Sequence, residues 1–482
     1  MLIGWMVMLL SLFASCKYQQ VSDDPTLCLR FSVDSISFDT VFSTIGSSTQ
    51  RIMVYNDNKN ALILKKISWK GAPFYINLDG ENKIEHLHDI KLNGGDSLFL
   101  FVRVSINPQE KNQPVLIVDT LCFEVNGHLQ RLPMQAFGQD VEIIKSESKR
   151  SDISGDFTFT NTKPYLIFDT LCITGKTIIE AGATIYMHHN ANLHLYGDLE
   201  AIGQQEHPIR ILGDRLDRLF ENVPYAYASG QWGGIYLWHE KGTETTNHEL
   251  DYVDILSGSI GLYCYNEDQS DLCSIKISNS RIHNQALYGL VMVNANAEVY
   301  NNEISNAASY SLFIGGGKYR IVHNTIAAFF GYPYTTINLH NVARSDVAAV
   351  YIYNQEDDEV GPTSVEIYNN IIVGANQNNL VTDTTENMNF TADIAYNYLK
   401  ADSITTEWGE YNTYATEADS VLFRNIYYLY KEYNYYDFRL LPTSPARFIA
   451  DSTLSVTYPT DRQGNARPMS RPDAGCYQYI EE

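Results

Sequence analysis

The sequence predicts an all-β protein, in which an N-terminal β-sandwich is followed by a right-handed parallel β-helix, a solenoid fold. Three observations support this: strands alternate with turns up to residue 142, an Asn-Ile pair recurs at short intervals further on, and helical periodicity is nearly lacking. A fixed spacing of 22 residues separates three isoleucines, which indicates stacked repeats. The pairs are Asn279 with Ile282, Asn301 with Ile304, Asn324 with Ile326 and, two longer turns later, Asn369 with Ile372.

Asparagine-rich corners follow the predicted strands of the repeats, as in AEVYNNEISN, YRIVHNTIAA and SVEIYNNIIVG. Asparagine tolerates left-handed backbone angles, and the amides of successive turns can hydrogen-bond in ladders. We therefore expect these asparagines to be structural rather than ligand-binding.

Composition limits the possible partners. The chain has 482 residues, which suggests more than one domain, and 44% of them are apolar, enough for a sizeable core. Its formal charge is −23, so the protein as a whole repels nucleic acid, and we predict no nucleic-acid partner. An anionic polysaccharide would need a local basic cleft, and no run of Lys or Arg indicates one.

The first residues, MLIGWMVMLLSLFASC, are apolar and too short for a permanent membrane helix. They resemble a bacterial lipoprotein signal peptide, 1–16, whose lipobox ends at Cys16. The resemblance implies a lipid on Cys16 and a lipoprotein of the outer membrane, facing the periplasm or exposed at the cell surface. The alternative is an ordinary cleaved signal. Residues 17–27 are predicted to be a polar tether, and their SDDP resembles the surface-export signals of Bacteroidetes lipoproteins.

Residues 28–142 contain alternating strands with turn-forming corners, which predicts a small antiparallel sandwich. Asn56 after a long strand, GGDS at 94–97 and AFGQDV at 136–141 resemble immunoglobulin-like domains of the ASPM/SPD-2/Hydin kind. Such a domain would act as a spacer or docking module. The polar residues of 143–164 are predicted to form a linker.

Residues 165–482 are predicted to form the β-helix with its C-terminal cap. The glycine-punctuated stretch from Gly175 to Ile209, QWGGIYL at 231–237 and DRQGNARPMSRPDAGCYQY at 461–479 resemble bacterial β-helix lipoproteins with a pectin lyase-like fold. Many right-handed β-helices act on polysaccharides. The resemblance therefore implies the fold and a polysaccharide ligand class, but no particular reaction.

Six cysteines remain after Cys16, and Cys264 and Cys273 are close enough in sequence to suggest a local disulfide. The alternative is that each cysteine is buried singly in a strand. No Cys or His spacing indicates zinc, and no metal site is predicted. His188 and His194 should share one face of the sheet, but six residues along a strand place them too far apart to hold an ion together. His189 should lie on the other face.

Motifs that carry catalysis are missing: the sequence has no phosphate-binding loop, nucleophile elbow or HExxH motif. No cofactor is predicted. The acidic run Glu356, Asp357, Asp358 and Glu359 could offer oxygen ligands to calcium, but it lacks the spacing of a calcium loop, and a solvated loop is the preferred interpretation.

Tyrosine is abundant, with 34 residues, and Tyr427, Tyr428, Tyr430 and Tyr433 concentrate near the C-terminus. These rings could stack on sugars, or they could cover the open end of the solenoid. The segment 329–336 and the strand from Trp232 to Trp238 are lesser aromatic candidates, with Trp232 expected to pack internally.

The functional prediction is a lipid-anchored rod that binds glycan or cell-surface material without evident catalysis. The alternative is a polysaccharide lyase, glycoside hydrolase or epimerase, whose active residues one sequence cannot align. A purely structural or adhesive rod is a third possibility. The sequence does not predict an oligomeric state.

Overall fold

The structure is a computed structural model, and it is all-β, with large parallel sheets. The chain divides into two compact units, an N-terminal unit, Met1–Asp140, and a parallel-sheet unit, Val141–Glu482. The described residues are 19–80, 88–110, 113–220, 223–225, 228–239, 245–266, 272–330, 337–338, 348–355, 360–385, 388–402, 409–416, 421–426 and 436–481.

The N-terminal unit contains nine strands in its described residues. They are β1 (Arg30–Phe31), β2 (Ile36–Phe42), β3 (Gln50–Tyr55), β4 (Leu62–Ser68), β5 (Phe74–Leu78), β6 (His88–Leu92), β7 (Ser97–Val104), β8 (Val115–Val125) and β9 (His128–Gln139). They form a sheet of order β1-β3-β7-β5 and a sheet of order β2-β9-β8-β4-β6, antiparallel except where β2 pairs with β9. One apolar cluster takes side chains from both sheets. Alternation along β5 and β7 puts every second residue into it.

Residues 19–27, predicted to be a tether, lie against this unit instead. Val21 bridges Ala61, and the Gln19 side chain donates to the Gly94 carbonyl at 3.1 Å. Leu27 packs on the apolar cluster. Burial of the apolar side chains of Val21 and Leu27 favours the contact of this otherwise polar segment with the N-terminal unit.

The parallel-sheet unit contains the remaining strands. They are β10 (Glu142–Ile144), β11 (Arg150–Ile153), β12 (Phe157–Phe159), β13 (Tyr165–Ile167), β14 (Thr170–Ile173), β15 (Thr177–Ile179), β16 (Thr184–Met187), β17 (Leu193–Leu195), β18 (Leu199–Ile202), β19 (Ile209–Gly213), β20 (Arg218–Phe220), β21 (Val223–Pro224), β22 (Ala228–Ser229), β23 (Ile235–His239), β24 (Asn247–Asp251), β25 (Val253–Leu256), β26 (Ile260–Asn266), β27 (Cys273–Ser278), β28 (Arg281–His283), β29 (Tyr288–Tyr300), β30 (Glu303–Ser305), β31 (Leu312–Val322), β32 (Thr325–Ala328), β33 (Ile337–Asn338), β34 (Val350–Tyr353), β35 (Thr363–Tyr368), β36 (Ile371–Gly374), β37 (Leu380–Asp383), β38 (Phe390–Ala395), β39 (Tyr398–Leu399), β40 (Thr413–Tyr414), β41 (Phe423–Asn425) and β42 (Asp437–Leu440). A 3-10 helix, Ser452–Val456, follows them.

Two large sheets, both parallel throughout, organise this unit. One has eleven strands in the order β10-β13-β16-β19-β25-β28-β30-β32-β36-β39-β40, and the other has sixteen. Along the chain, a strand of the eleven-stranded sheet is generally followed by one or two strands of the sixteen-stranded sheet, so each passage of the chain adds a layer to both. A single long apolar cluster lies between them. Inward side chains of the described layers therefore stack on equivalents in the neighbouring layers.

The strand register confirms that the regularly spaced isoleucines stack on one another in successive layers. Ile282 pairs with Ile304, Ile304 with Ile326, and Ile326 with Ile372, all in parallel. Each of the four is fully buried. The period in the sequence is therefore the length of chain that makes one layer.

Strands also occupy the segment 143–164, which was predicted to be a linker. β10, β11 and β12 pair in parallel with β13, β14 and β15, and so form the first layer of both sheets. Charged and hydroxyl side chains are frequent there because the layer is an edge, and several of its residues are exposed. Polar edge strands discourage pairing with other chains.

An asparagine ladder runs through the corner of the eleven-stranded sheet. Nδ2 of each amide donates to Oδ1 of the next at 3.0 Å, and each Nδ2 also reaches backbone carbonyls. The ladder residues are Asn302, Asn324, Asn370, Asn397 and Asn412. The predicted ladder is thus present, but of the four predicted corner asparagines only Asn324 belongs to it.

The other three, Asn279, Asn301 and Asn369, occupy the position before the ladder, and His323 occupies it in the layer between Asn301 and Asn369. All four have positive φ, between 48° and 57°. Asparagine is the side chain that best tolerates this conformation. These corners are therefore structural, as predicted.

A C-terminal strap, residues 451–479, lies along the parallel layers. It starts at the layer of Asn369, which Asp451 contacts, and reaches back to Ser280 and Gln205, which Arg462 and Gln463 contact; the Gln205 side chain donates to the Gln463 carbonyl. It then returns to later layers, where Arg467 contacts Asn301 and Cys476 contacts Thr325. Its turns are closed by two carboxylates. Asp461 accepts from the backbone of Gln463, Asn465 and Gln478, and Asp473 accepts from Phe448 and Tyr479. Both aspartates belong to the segment DRQGNARPMSRPDAGCYQY at 461–479.

A buried charge cluster lies under the strap. Glu303 accepts from Arg281 Nε at 2.8 Å and from Tyr477 Oη at 2.6 Å, and Arg462 donates to Asp254 at 2.9 Å. Burial opposes ionisation of Glu303, but the charges of Arg281, His283 and Arg462 hold its pKa at about 2. Burial, and then the charge of Arg281, lowers the pKa of His283 to about 3.

Acid should therefore destabilise the parallel-sheet unit well above the pH at which exposed carboxylates titrate. Both groups have folded-state pKa values below their ordinary values of 6.5 and 4.5. The unfolded chain thus binds protons that the folded chain excludes, and stability present above pH 6.5 is lost as pH falls towards about 3. We expect the urea midpoint to fall steadily from pH 7 to pH 4, with a shallower slope in His283→Gln. An equal slope in that variant would contradict the assignment.

Candidate functional site: an outward aromatic face

Aromatic side chains form an outward-facing patch on the sixteen-stranded sheet. One row follows the register across seven strands, with one residue from each layer. In order they are His194, Tyr236, Tyr263, Val291, Phe313, Tyr351 and Val381. With layers about 4.8 Å apart, the stretch from His194 to Tyr351 spans about 24 Å.

A second row lies two residues further along the same strands. Its members are Trp238, Tyr265, Val293, Gly315, Tyr353 and Asp383. Tyr288 and its neighbour Tyr310 flank the first row on the other side. We call the aromatic members of this patch the aromatic face: His194, Tyr236, Trp238, Tyr263, Tyr265, Tyr288, Tyr310, Phe313, Tyr351 and Tyr353.

The rings at the early end of the face are nearly parallel to one another. His194 and Tyr236 stack with centroids 4.7 Å apart and 12° between their planes, and Tyr236 and Trp238 lie 5.9 Å apart at 5°. Trp238 Nε1 donates to His194 Nδ1 at 2.8 Å, which fixes the orientation of both rings. Burial lowers the pKa of His194, so its ring is neutral and accepts this bond.

The rings at the late end form a second group. Phe313 and Tyr351 are parallel within 4°, with centroids 5.3 Å apart, and Tyr310 lies 4.8 Å from Tyr351. Tyr353 packs on Phe313 at 4.9 Å and lies over Gly315, where a Cβ would come within 2.2 Å of its ring. Glycine at position 315, which has no Cβ, therefore leaves the space that the Tyr353 ring occupies.

Val291 and Val293 separate the two groups, and both are buried beneath neighbouring rings. The aromatic side chains themselves are half-buried, so each keeps an accessible part. Burial raises the pKa of Tyr236, Tyr263 and Tyr310, so these phenols are neutral hydrogen-bonding groups at neutral pH. The aromatic face is thus a wide, rigid, uncharged surface edged with hydroxyls.

A carboxylate stands at one edge of the face. Tyr351 Oη donates to Asp383 Oδ2 at 2.7 Å, and burial, together with this bond, raises the pKa of Tyr351. The bond holds the phenol in place. Asp383 is exposed and lies beside Tyr353 in the second row.

The sequence contains a signal for this face that the sequence analysis left unused. IYLW at 235–238, LYCY at 262–265 and VYIY at 350–353 alternate an inward aliphatic residue or cysteine with an outward aromatic one. Of the aromatic face, only Trp238 is a predicted aromatic candidate, and His194 is predicted only to share a face of the sheet with His188. Trp232 is fully buried and donates to the Leu256 carbonyl, as expected of an internal residue.

Several predicted site residues fall outside the described residues: Cys16, Tyr427, Tyr428, Tyr430, Tyr433, Glu356, Asp357, Asp358 and Glu359. Their predicted roles stay predictions. The predicted histidines lie apart, since His188 bonds Asp214 at 2.6 Å while His194 belongs to the aromatic face. Among the described residues, no three His, Cys, Asp or Glu side chains come together as a metal site would require.

Cys264 and Cys273, the predicted disulfide pair, face each other inside the parallel-sheet unit. Both are buried, both are free thiols here, and their Sγ atoms lie 3.0 Å apart. The hydrogen bond with Cys273, followed by burial, raises the pKa of Cys264. The disulfide itself stays a prediction, with its two partners correctly placed side by side.

No helix within the described ranges is both long enough and apolar enough to cross a membrane. No family model matches the chain, and no curated protein matches it.

Three solved structures share partial similarity with the chain. A protein of unknown function from Porphyromonas gingivalis W83 is 15% identical over 26% of this chain and 50% of its own, with a TM-score of 0.19. The VesB protease of Vibrio cholerae is 16% identical over 23% and 31%, with a TM-score of 0.17. A family 123 glycoside hydrolase from Clostridium perfringens, studied for glycolipid glycan hydrolysis, is 6% identical over 24% and 30%, with a TM-score of 0.19. The chain spans half or less of each, and TM-scores this low carry no argument about fold or activity.

Proposed function

We propose that this protein is a lipid-anchored, glycan-binding rod. Its anchor is Cys16 in the outer membrane, its N-terminal unit is an immunoglobulin-like sandwich that acts as a spacer, and its parallel-sheet unit is a right-handed β-helix whose aromatic face binds polysaccharide. The observation that carries the proposal is the register of that face, which places aromatic rings at fixed intervals along one side of a stack of strands.

The fold part of the proposal rests on connectivity. All strand pairs within the two large sheets are parallel, and the chain alternates between those sheets. Parallel strands in one sheet are joined by right-handed crossovers in nearly all known cases. For the N-terminal unit, two largely antiparallel sheets that share one apolar cluster are what a sandwich requires.

The binding part rests on chemistry. Sugar rings have apolar faces that stack on aromatic rings, and hydroxyls that pair with the phenols beside them. A surface of about 24 Å fits a polymer rather than a small molecule. The rings are held by packing and by the Trp238–His194 bond, so little side-chain freedom is lost on binding.

Removing two rings from the late group should weaken polysaccharide binding without unfolding the protein. We expect Phe313→Ala with Tyr351→Ala to lose at least about tenfold in affinity, because buried aromatic contacts dominate such interfaces. Purified residues 17–482 would first be screened on a glycan array, and each hit measured by calorimetry. Tyr411→Ala is the matched control, since Tyr411 is 70% exposed and lies outside the face.

Product analysis on each hit separates binding from catalysis. A polysaccharide that binds and stays intact supports the proposal, while new unsaturated or shortened products would show a lyase or a hydrolase. Binding that survives in the Phe313/Tyr351 double variant would show that the aromatic face is not the binding surface.

A further inference from the structure

A small cavity opens at the corner next to the second row of the aromatic face. Its volume is about 240 Å³. Drug-sized ligands occupy cavities of about 300–1,000 Å³, so this one has room for about one sugar residue. We call it the corner cavity, and its lining residues are Leu272, Asn294, Gly317, Lys318, Pro362, Thr363, Ser364, Asn389 and Thr391.

The corner cavity is continuous with the aromatic face through the backbone. Asn294 directly follows Val293 of the second row, and Gly317 follows Gly315 after one residue. Thr363 Oγ1 donates to the backbone carbonyl of Tyr353 at 3.2 Å. A polymer lying on the second row would therefore pass the mouth of the cavity.

Uncommitted polar groups line the cavity. Among the described residues, the side chains of Lys318, Ser364, Asn389 and Thr391 make no hydrogen bond or ion pair, and all four are at least partly exposed. Lys318, Ser364 and Thr391 come from consecutive layers, because Lys318 pairs with Ser364 and Ser364 with Thr391. Hydroxyl, amide and ammonium groups thus face one small space.

The charge of Lys318 is the distinctive feature of this lining. The carboxylates of the neighbouring outward row are already engaged, since Glu366 pairs with Arg320 and Glu298 accepts from Tyr458 at 2.7 Å. Lys318 therefore has no carboxylate partner among the described residues, in a chain whose net charge is −23. An ammonium is a compact point charge that can serve a carboxylate or a sulfate equally well.

We infer that the corner cavity binds an acidic sugar residue of the polysaccharide, with Lys318 pairing with its anionic group. This inference rests on the proposed glycan-binding function and adds a substrate class to it. The aromatic face supplies affinity for the sugar backbone, and Lys318 selects chains that carry a carboxylate or sulfate at the matching residue. Ser364, Asn389 and Thr391 bond the hydroxyls of that residue.

The test compares acidic and neutral forms of one ligand on the full mature chain. The probes are hexuronate oligosaccharides, the same oligosaccharides after carboxyl reduction, and O-sulfated neutral oligosaccharides. We expect the native protein to prefer one acidic form over its neutral counterpart by about tenfold, the size of a charge-assisted hydrogen bond. Lys318→Gln should remove that preference.

Lys276→Gln is the matched control. It removes the same charge from a neighbouring outward row of the same sheet, where Lys276 already pairs with Glu249 at 2.9 Å, and it should keep the preference. Equal binding of acidic and neutral forms by the native protein, or a preference that survives in Lys318→Gln, would overturn the inference while leaving glycan binding intact. Failure of every probe to bind would overturn the proposed function as well.

Discussion

Replacing Glu303 with glutamine should destabilise the parallel-sheet unit by about 3–5 kcal/mol, the usual cost of removing one partner from a buried ion pair. Glutamine keeps the shape of the glutamate side chain and one hydrogen-bond acceptor, so the loss of stability would come chiefly from the loss of the charge. Arg281 and Arg462, whose side chains are 28% and 18% exposed, would then have less compensation for their charges, because Glu303 is 3% exposed and lies among them. Urea unfolding measures the effect, followed by tryptophan fluorescence, to which Trp232 and Trp238 of the parallel-sheet unit contribute.

Glu366→Gln is the control for this change. It removes the same charge from an exposed pair with Arg320 and should cost about 0–1 kcal/mol. The double variant Glu303→Gln with Arg281→Met should recover part of the loss, because it removes the uncompensated arginine together with the carboxylate. A Glu303→Gln protein as stable as the native one would show that the buried charges are not coupled.

Replacing Asn370 with alanine should have the second largest effect, about 3–4 kcal/mol, because several buried groups would lose their partners together. Oδ1 of Asn370 accepts from the backbone and the side chain of Asn324 at 2.7 and 3.0 Å. Its Nδ2 donates to the carbonyls of Ile321 and Tyr368 at 2.8 Å. Hydrogen exchange should quicken most in the peptides that contain Asn324 and Asn397, the adjacent members of the ladder.

Asn296→Ala provides the comparison. Asn296 is exposed in a central strand and makes no side-chain hydrogen bond among the described residues, so its loss should change stability by less than about 0.5 kcal/mol. If the two alanine variants lost equal stability, the ladder would contribute no more than an ordinary surface asparagine.

The repeating layers could be predicted from the sequence because their signal is local. Ile282, Ile304 and Ile326 are one layer apart in an uninterrupted stretch, so the spacing in sequence equals the spacing in structure. The ladder was harder to assign. Asparagine is favoured both at the outer corner position, which holds Asn279, Asn301 and Asn369, and at the inner ladder position that follows it. Because the two positions are adjacent, the sequence alone does not show which asparagine occupies which position.

The aromatic face could not be predicted in the same way. From His194 to Tyr351 its first row advances by between 22 and 42 residues per layer, so the sequence alone does not show which aromatic residues share a row. The segment 143–164 was misleading for a different reason. Its composition is that of a linker, and its strands are recognisable only once the second layer supplies their partners.

The C-terminal strap has a consequence for the order of assembly during synthesis. A stack of layers can grow from its N-terminal end as the chain emerges, each layer templating the next. The strap, made after the layers of the stack, returns across layers completed long before, as far as Gln205, which is 258 residues from its partner Gln463. Until Tyr477 and Arg462 arrive, Glu303 lacks two of the groups that compensate its charge. The nascent stack is thus incompletely stabilised, and arrival of the strap ties layers that are distant in sequence to one another.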